Sequence, residues 1–195
     1  MLREIEVWPS PVLSTKCADV DFDKMVYGEK EELKVLLQDM ADTMIAARGA
    51  GLAAPQVGVP IRAVVILVRH LEPKKDEPPY SIIKMVNPSI VERLGKQNGR
   101  EGCLSLPNYF DDVSRSQWVK VKAQDEDGNP FEITGDGFLA RALQHELEHL
   151  DGIVFVDHLS LLKRNRALAK FSKAKRKGMK YALSDLPQDI AKQPS

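Results

Sequence analysis

Cysteine is scarce in this chain: Cys17 and Cys103 are the only two among 195 residues. Two cysteines do not build a disulfide framework, and a reducing compartment suits them, so a cytoplasmic location is expected. Long apolar runs are missing as well; no stretch approaches the roughly 20 residues that cross a bilayer. Neither sign of charge is in excess, with 28 basic and 28 acidic residues. That excludes a global field recruiting nucleic acid or anionic lipid. The opening MLREIEVWPSPVLS has neither the apolar core of a signal peptide nor the Arg- and Ser-rich bias of a transit peptide. Histidine is rare too, at four, which makes the placing of two of them informative.

Residues 145–149 read His-Glu-Leu-Glu-His. On a helix, His145 and His149 are four apart and share a face, so two imidazoles can converge on one metal ion. Glu146 lies beside the first of them, placed to accept a proton from an activated water. The flanks favour a buried helix: Leu139, Ala142, Leu143, Leu147 and Leu150 are apolar, Asp136 can cap its start and Gly152 can stop it. The alternative is a pair of core histidines satisfied by hydrogen bonds alone.

Elsewhere the pattern gives a turn or short bend at Pro9, Ser10 and Pro11, and a long helix over 22–48 with Leu33, Leu36, Leu37, Met40 and Met44 at helical spacing. Gly49 and Gly51 end it. Strands are expected over 61–68, 82–91, 118–123, 130–134 and, briefly, 153–155, with Asp127-Gly128 as a hairpin turn. Residues 70–80 read as a charged, proline-rich, exposed loop. A basic helix is expected over 160–181, with a frayed tail beyond 186. Helices and strands do not alternate, which argues against a doubly wound parallel sheet. The expected class is α+β: antiparallel strands packed around a central metal-binding helix, with a long helix in the N-terminal half and a C-terminal helix. The length fits one catalytic domain over 1–195, of which 160–195 is the basic helix and tail.

Two histidines do not hold a catalytic metal alone; three protein ligands are usual. Downstream of His149, Asp151, Asp157, His158 and Asp185 miss the spacing of the zinc endopeptidase patterns. Upstream, Glu101-Gly102-Cys103-Leu104-Ser105 offers a thiolate in a tight turn. On its own, Cys103 reads better as a small buried hydrophobe, the usual state of a free cysteine. The segment GAGLAAPQ (49–56) joins a helix to a strand with small residues, and Gln56 carries an amide able to donate to a developing oxyanion. On its own, such a joint is common and a Gln is usually at the surface.

Taken together and in order, GAGLAAPQ (49–56), EGCLS (101–105) and QHELEHLDG (144–152) resemble the three signature motifs of peptide deformylases. The resemblance implies that Cys103, His145 and His149 bind the metal, with Fe²⁺ usual and Zn²⁺, Ni²⁺ or Co²⁺ able to substitute. It implies hydrolysis of the formyl amide of N-formylmethionyl nascent peptides, with Glu146 as general base and acid. It also implies oxyanion donation by the Gln56 side chain and the Leu104 N–H, and peptide contact at Gly51. One departure is Glu148, where the family more often has Asp. Part of the methionine pocket would come from Phe138, Arg141 and Ala142. Phe138 and Ala142 suit an apolar slot; Arg141 reads as a rim residue touching substrate or solvent, or as an outward residue with no role. The C-terminal helix carries Lys163, Arg164, Arg166, Lys170, Lys173, Lys175, Arg176, Lys177 and Lys180. It is either a solvated face or, as the resemblance implies, a dock on the ribosome near the exit tunnel. No membrane partner is expected. The competing assignments are a His-Glu-x-x-His zinc endopeptidase and a non-catalytic metal-binding module.

Overall fold

The structure is a computed structural model, and it describes residues 1–70 and 79–176. After a short 3-10 turn at Pro11–Ser14 comes helix α1, Tyr27–Ala46. Strands β1 (Gly51–Ala53), β2 (Ala63–Arg69), β3 (Tyr80–Leu94), β4 (Gln97–Cys103), β5 (Leu106–Arg115), β6 (Trp118–Gln124) and β7 (Pro130–Asp136) follow. Helix α2 spans Gly137–His149, and α3 spans Leu161–Arg176. Five strands form one antiparallel sheet in the order β1-β2-β3-β6-β7, while β4 and β5 make a separate hairpin. The expected α+β class is what is found. No described helix is long and apolar enough to cross a membrane.

The sheet carries a helix on each face, and β2 shows why its sequence is a continuous apolar run. Ala63 and Val65 pack with α1, through Leu33, Leu36, Leu37, Met40 and Met44. Val64 and Ile66 pack with Ala140, Leu143, Leu147 and Leu150 of α2 on the other side. A strand buried on both faces has no polar alternation to show. In β6 the alternation returns: Val119 and Val121 are buried, while Lys120 and Lys122 turn outward to Glu132. Truncating a fully buried leucine such as Leu143 would remove roughly 2–5 kcal/mol of stability.

A third cluster holds the β4–β5 hairpin and α3 to the rest of the chain. Trp8, Leu106, Val113, Phe155, Ala167 and Phe171 lie in it, with Tyr109 packed against them. Phe171 meets both Trp8 and Tyr109 edge-on.

Several boundaries differ from those expected. α1 starts at Tyr27 rather than near residue 22; the Glu29 carboxylate accepts from the Val26 N–H at 3.1 Å and fixes the start. Asp136 is the N-cap of α2, yet its carboxylate makes no cap bond and accepts from Gln117 Nε2 instead. Gly152 follows α2 with φ +74, the left-handed stop that glycine favours. The short strand expected over 153–155 is a 3-10 turn, Phe155–His158, closed by the Val154 N–H donating to Asp157. The hairpin β4–β5 was not anticipated at all. The basic helix runs from Leu161 to Arg176; its expected continuation, including Lys177 and Lys180, and most of the expected loop (71–78) lie outside the described residues.

Candidate metal centre

Helix α2 delivers His145, Glu146 and His149 to one buried place, as the spacing requires. The two imidazoles meet at 5.1 Å between centroids, nearly perpendicular. Cys103 comes from the last residue of β4, where the register to β5 slips between Gly102 and Cys103. Gly102 is needed there because a Cβ would sit 2.5 Å from the Phe110 ring. The slip brings Cys103 Sγ within 3.2 Å of His149 Nε2. One donor atom from each of Cys103, His145 and His149 lies within 4.8 Å of the others, and all three residues are buried. A thiol and two imidazoles converging away from water match the donor set of a first-row transition metal.

The ring atoms are assigned by their partners. His145 Nδ1 lies 3.0 Å from Glu101 Oε2, a carboxylate–histidine pair that leaves Nε2 to face the other ligands. Phe155 stacks on the same ring at 5.9 Å. Glu101 is held in turn by Arg115, whose Nε and Nη2 donate to its two oxygens at 2.9 and 3.0 Å. Burial pushes the Glu101 carboxyl up, but hydrogen bonds from His145 and Arg115 outweigh it and hold the group well below the usual carboxylate range. Burial drives His149 far down, so its ring is neutral and keeps a lone pair for a ligand role. Burial also opposes charge on His145, yet its bonds to Cys103 and Glu101 reverse the direction.

Glu146 is buried, and its Oε2 has no hydrogen-bond partner among the described residues. Burial pushes its carboxyl up to about 7, the range in which a group can both take and return a proton near neutrality. It fits only because position 51 is glycine: a Cβ on Gly51 would stand 2.5 Å from Glu146 Cγ. Gln56 is oriented by the Ala53 N–H, which donates to its Oε1 at 2.8 Å. That fixes the amide so that Nε2 points at Ser105 Oγ (3.2 Å) and Cys103 Sγ (3.4 Å). Leu104, next to Cys103, is buried, and its side chain would touch any Cβ at Gly49. The three motif segments therefore meet in space.

The model of the polypeptide deformylase family matches residues 2–165. This chain belongs to the polypeptide deformylase family. It is 45% identical to the peptide deformylase of Aquifex aeolicus over 174 residues, 89% of this chain and 96% of that protein. Peptide deformylase 1 of Bacillus subtilis is 43% identical over 160 residues, 82% of this chain and 91% of that protein. The crystal structure of a peptide deformylase from Legionella pneumophila superposes with a TM-score of 0.75 at 44% identity, covering 91% of this chain and 98% of that one. Membership favours a deformylase over the endopeptidase and the non-catalytic module.

Against the deformylase pattern, Phe138 and Ala142 are half-buried and four apart on α2, one and two turns before the histidines. Arg141 is neither at a rim nor turned outward. It is 7% exposed, and its guanidinium donates to Gly99 O, Val113 O, Glu101 Oε1 and Gln97 Oε1. Its guanidinium staples the β4–β5 hairpin to α2 instead of lying at the rim or facing outward. Glu148 accepts from Arg115 Nη1 at 2.6 Å. Glu101, Arg115 and Phe155 were missed as site residues. Glu101 stands within the motif EGCLS, so its place was visible although its partner was not.

Proposed function

We propose that this chain hydrolyses the formyl amide of N-formylmethionine at the start of newly made polypeptides, releasing formate and a free amine. The observation that carries it is the convergence of Cys103 with His145 and His149 within 4.8 Å, with Glu146 alongside. Those three would hold the metal, for which Fe²⁺ is proposed, with Zn²⁺, Ni²⁺ or Co²⁺ as substitutes; one thiolate and two imidazoles suit all four. Such an ion supplies Lewis acidity and lowers the pKa of a water from ~15.7 towards ~7.

The protein does the rest. Glu146 takes a proton from the attacking water on its unpartnered Oε2 and returns it to the leaving nitrogen. The Gln56 amide and the Leu104 N–H donate to the formyl oxygen as it gains charge, each contributing roughly 3–4 kcal/mol. β1 is the edge strand of the five-stranded sheet, so the Gly51 backbone can pair with an extended peptide. Phe138 and Ala142 line the slot for the methionine side chain. Residues 1–195 act as one catalytic domain in the cytoplasm.

α3 is proposed to dock on the ribosome. Lys163 and Arg164 are tied to Asp111 and Asp157, whereas Arg166, Lys173, Lys175 and Arg176 have no acidic partner among the described residues. Basic residues without acidic partners favour phosphate. The enzymatic proposal is tested with Glu146→Gln protein that retains its metal. Formate release from formyl-Met-Ala-Ser is expected to fall by about 10²–10⁴. Equal activity in the two proteins, or none in metal-loaded wild type, would overturn it.

A further inference from the structure

The bonds that orient His145 do not end at Arg115. Arg115 Nη1 donates to Glu148 Oε1 at 2.6 Å, and the other oxygen of Glu148, Oε2, lies 2.8 Å from His158 Nε2. His158 Nε2 is also 3.4 Å from Arg115 Nη1. One ring nitrogen cannot both donate to a carboxylate and accept from a guanidinium. The shorter contact to an anion decides: Nε2 carries the proton and donates to Glu148, and the guanidinium is only a neighbour. The result is a line of contacts from a partly exposed histidine to a buried metal ligand: His158, Glu148, Arg115, Glu101, His145.

We infer that His158 is a positioning residue for the metal centre, acting through Glu148 and Arg115 on the Glu101–His145 pair; this rests on His145 being a ligand. A carboxylate held at only one oxygen can still pivot about that contact. Glu148 is held at both, by Arg115 on one side and His158 on the other, so its position is fixed. Arg115 Nη1 is thereby fixed too, and the remaining edge of the guanidinium, Nε and Nη2, meets Glu101 in the two-pronged geometry that leaves no freedom to rotate. Charge neutrality does not need His158. Glu101 and Glu148 are already matched by Arg115 and Arg141. What His158 adds is direction.

The turn that carries His158 reinforces this. Phe155–His158 begins with Phe155, which stacks on the His145 ring, and buries Val156 in the core. One rigid turn therefore grips the His145 ring at its near end and, through His158, the far end of the line that holds Nδ1. The side chain of His158 is 36% exposed, so its replacement leaves the core intact.

The test uses the full chain loaded with Co²⁺, whose visible absorption reports ligand geometry, in three forms: wild type, His158→Ala and His158→Gln. Loss of an outer-shell partner typically costs 10–100-fold in metal affinity or activity; His158 acts through two further residues, so about three- to tenfold is expected here. His158→Ala should release Co²⁺ to a chelator faster by that factor, with shifted absorption bands. Its kcat for formyl-Met-Ala-Ser should fall while KM changes little. His158→Gln, whose amide N–H reaches the same oxygen, should recover most of the loss. A wild-type release rate and spectrum in His158→Ala, whatever its Tm, would overturn the inference, as would a Gln variant no better than Ala. A wild-type protein that takes up no Co²⁺ would overturn the metal assignment itself, which separates the two failures.

Discussion

Replacing Gly51 with alanine should disable the reaction while sparing the metal. The added methyl carbon would stand 2.5 Å from Glu146 Cγ and 2.8 Å from both Cδ and Oε1. Carbon atoms in contact settle at roughly 3.5–4.0 Å, so the Glu146 side chain must retreat by about 1 Å or leave its rotamer. The strand cannot yield instead: Leu52 and Ala53 are fully buried, and β1 is paired with β2 from Gly51 to Ala53. The backbone at Gly51 is not left-handed, so alanine itself is tolerated there. A misplacement of about 1 Å in a reacting group costs on the order of 100-fold, which corresponds to ~2.7 kcal/mol in the barrier. The assay is kcat/KM for formate release, with metal content measured on the same sample. The three atoms nearest the new methyl all belong to Glu146 and none to a ligand, so metal content should match wild type. A variant within about threefold of wild-type kcat/KM would show that Glu146 does not need the space Gly51 leaves.

Glu101→Gln should cost roughly 3–5 kcal/mol in urea unfolding at pH 7, because it leaves Arg115 and Arg141 buried beside a neutral amide. The folded Glu101 carboxyl is held below its ordinary value of 4.5, so its stabilisation is complete above that pH and is lost as pH falls through the lower folded value. Wild type should therefore lose stability faster than the variant below about pH 4.5; parallel curves would remove Glu101 as the source. Substituting Arg166, Lys173, Lys175 and Arg176 with Glu should abolish salt-sensitive ribosome binding and leave hydrolysis of short formyl peptides unchanged. Substitution is the cleaner test than truncation, because a cut before α3 would remove the fully buried Ala167 and Phe171 from the core. Retained ribosome binding in that variant would refute the docking role.

How much of this was legible in the sequence depended on the range of the interactions. Helix α2 and its two histidines were visible because their spacing is local and the flanking leucines repeat with the helix. β2 was visible because a strand covered on both faces has no room for polar residues. The β4–β5 hairpin was hidden: QNGREGC and LPNYFDDVSR are polar and glycine-bearing, and they form strands because they pair with each other and pack against the Phe155–His158 turn. Arg141 and Arg115 were hidden for a related reason. A charged residue in a sequence looks like surface, and only the fold shows that Glu101 draws both guanidiniums inward. The 3-10 turn at Phe155–His158 replaced an expected strand because Asp157 satisfies the Val154 N–H locally, leaving no call for a neighbouring strand.

The most direct measurement is metal content after anaerobic purification of wild type and of Cys103→Ala. Wild type should hold about one first-row transition-metal ion per chain, and the variant, still folded by circular dichroism, should hold none. A Cys103→Ala protein that keeps its full complement of metal would show that the sulfur is not a ligand, and the account built on it would be wrong.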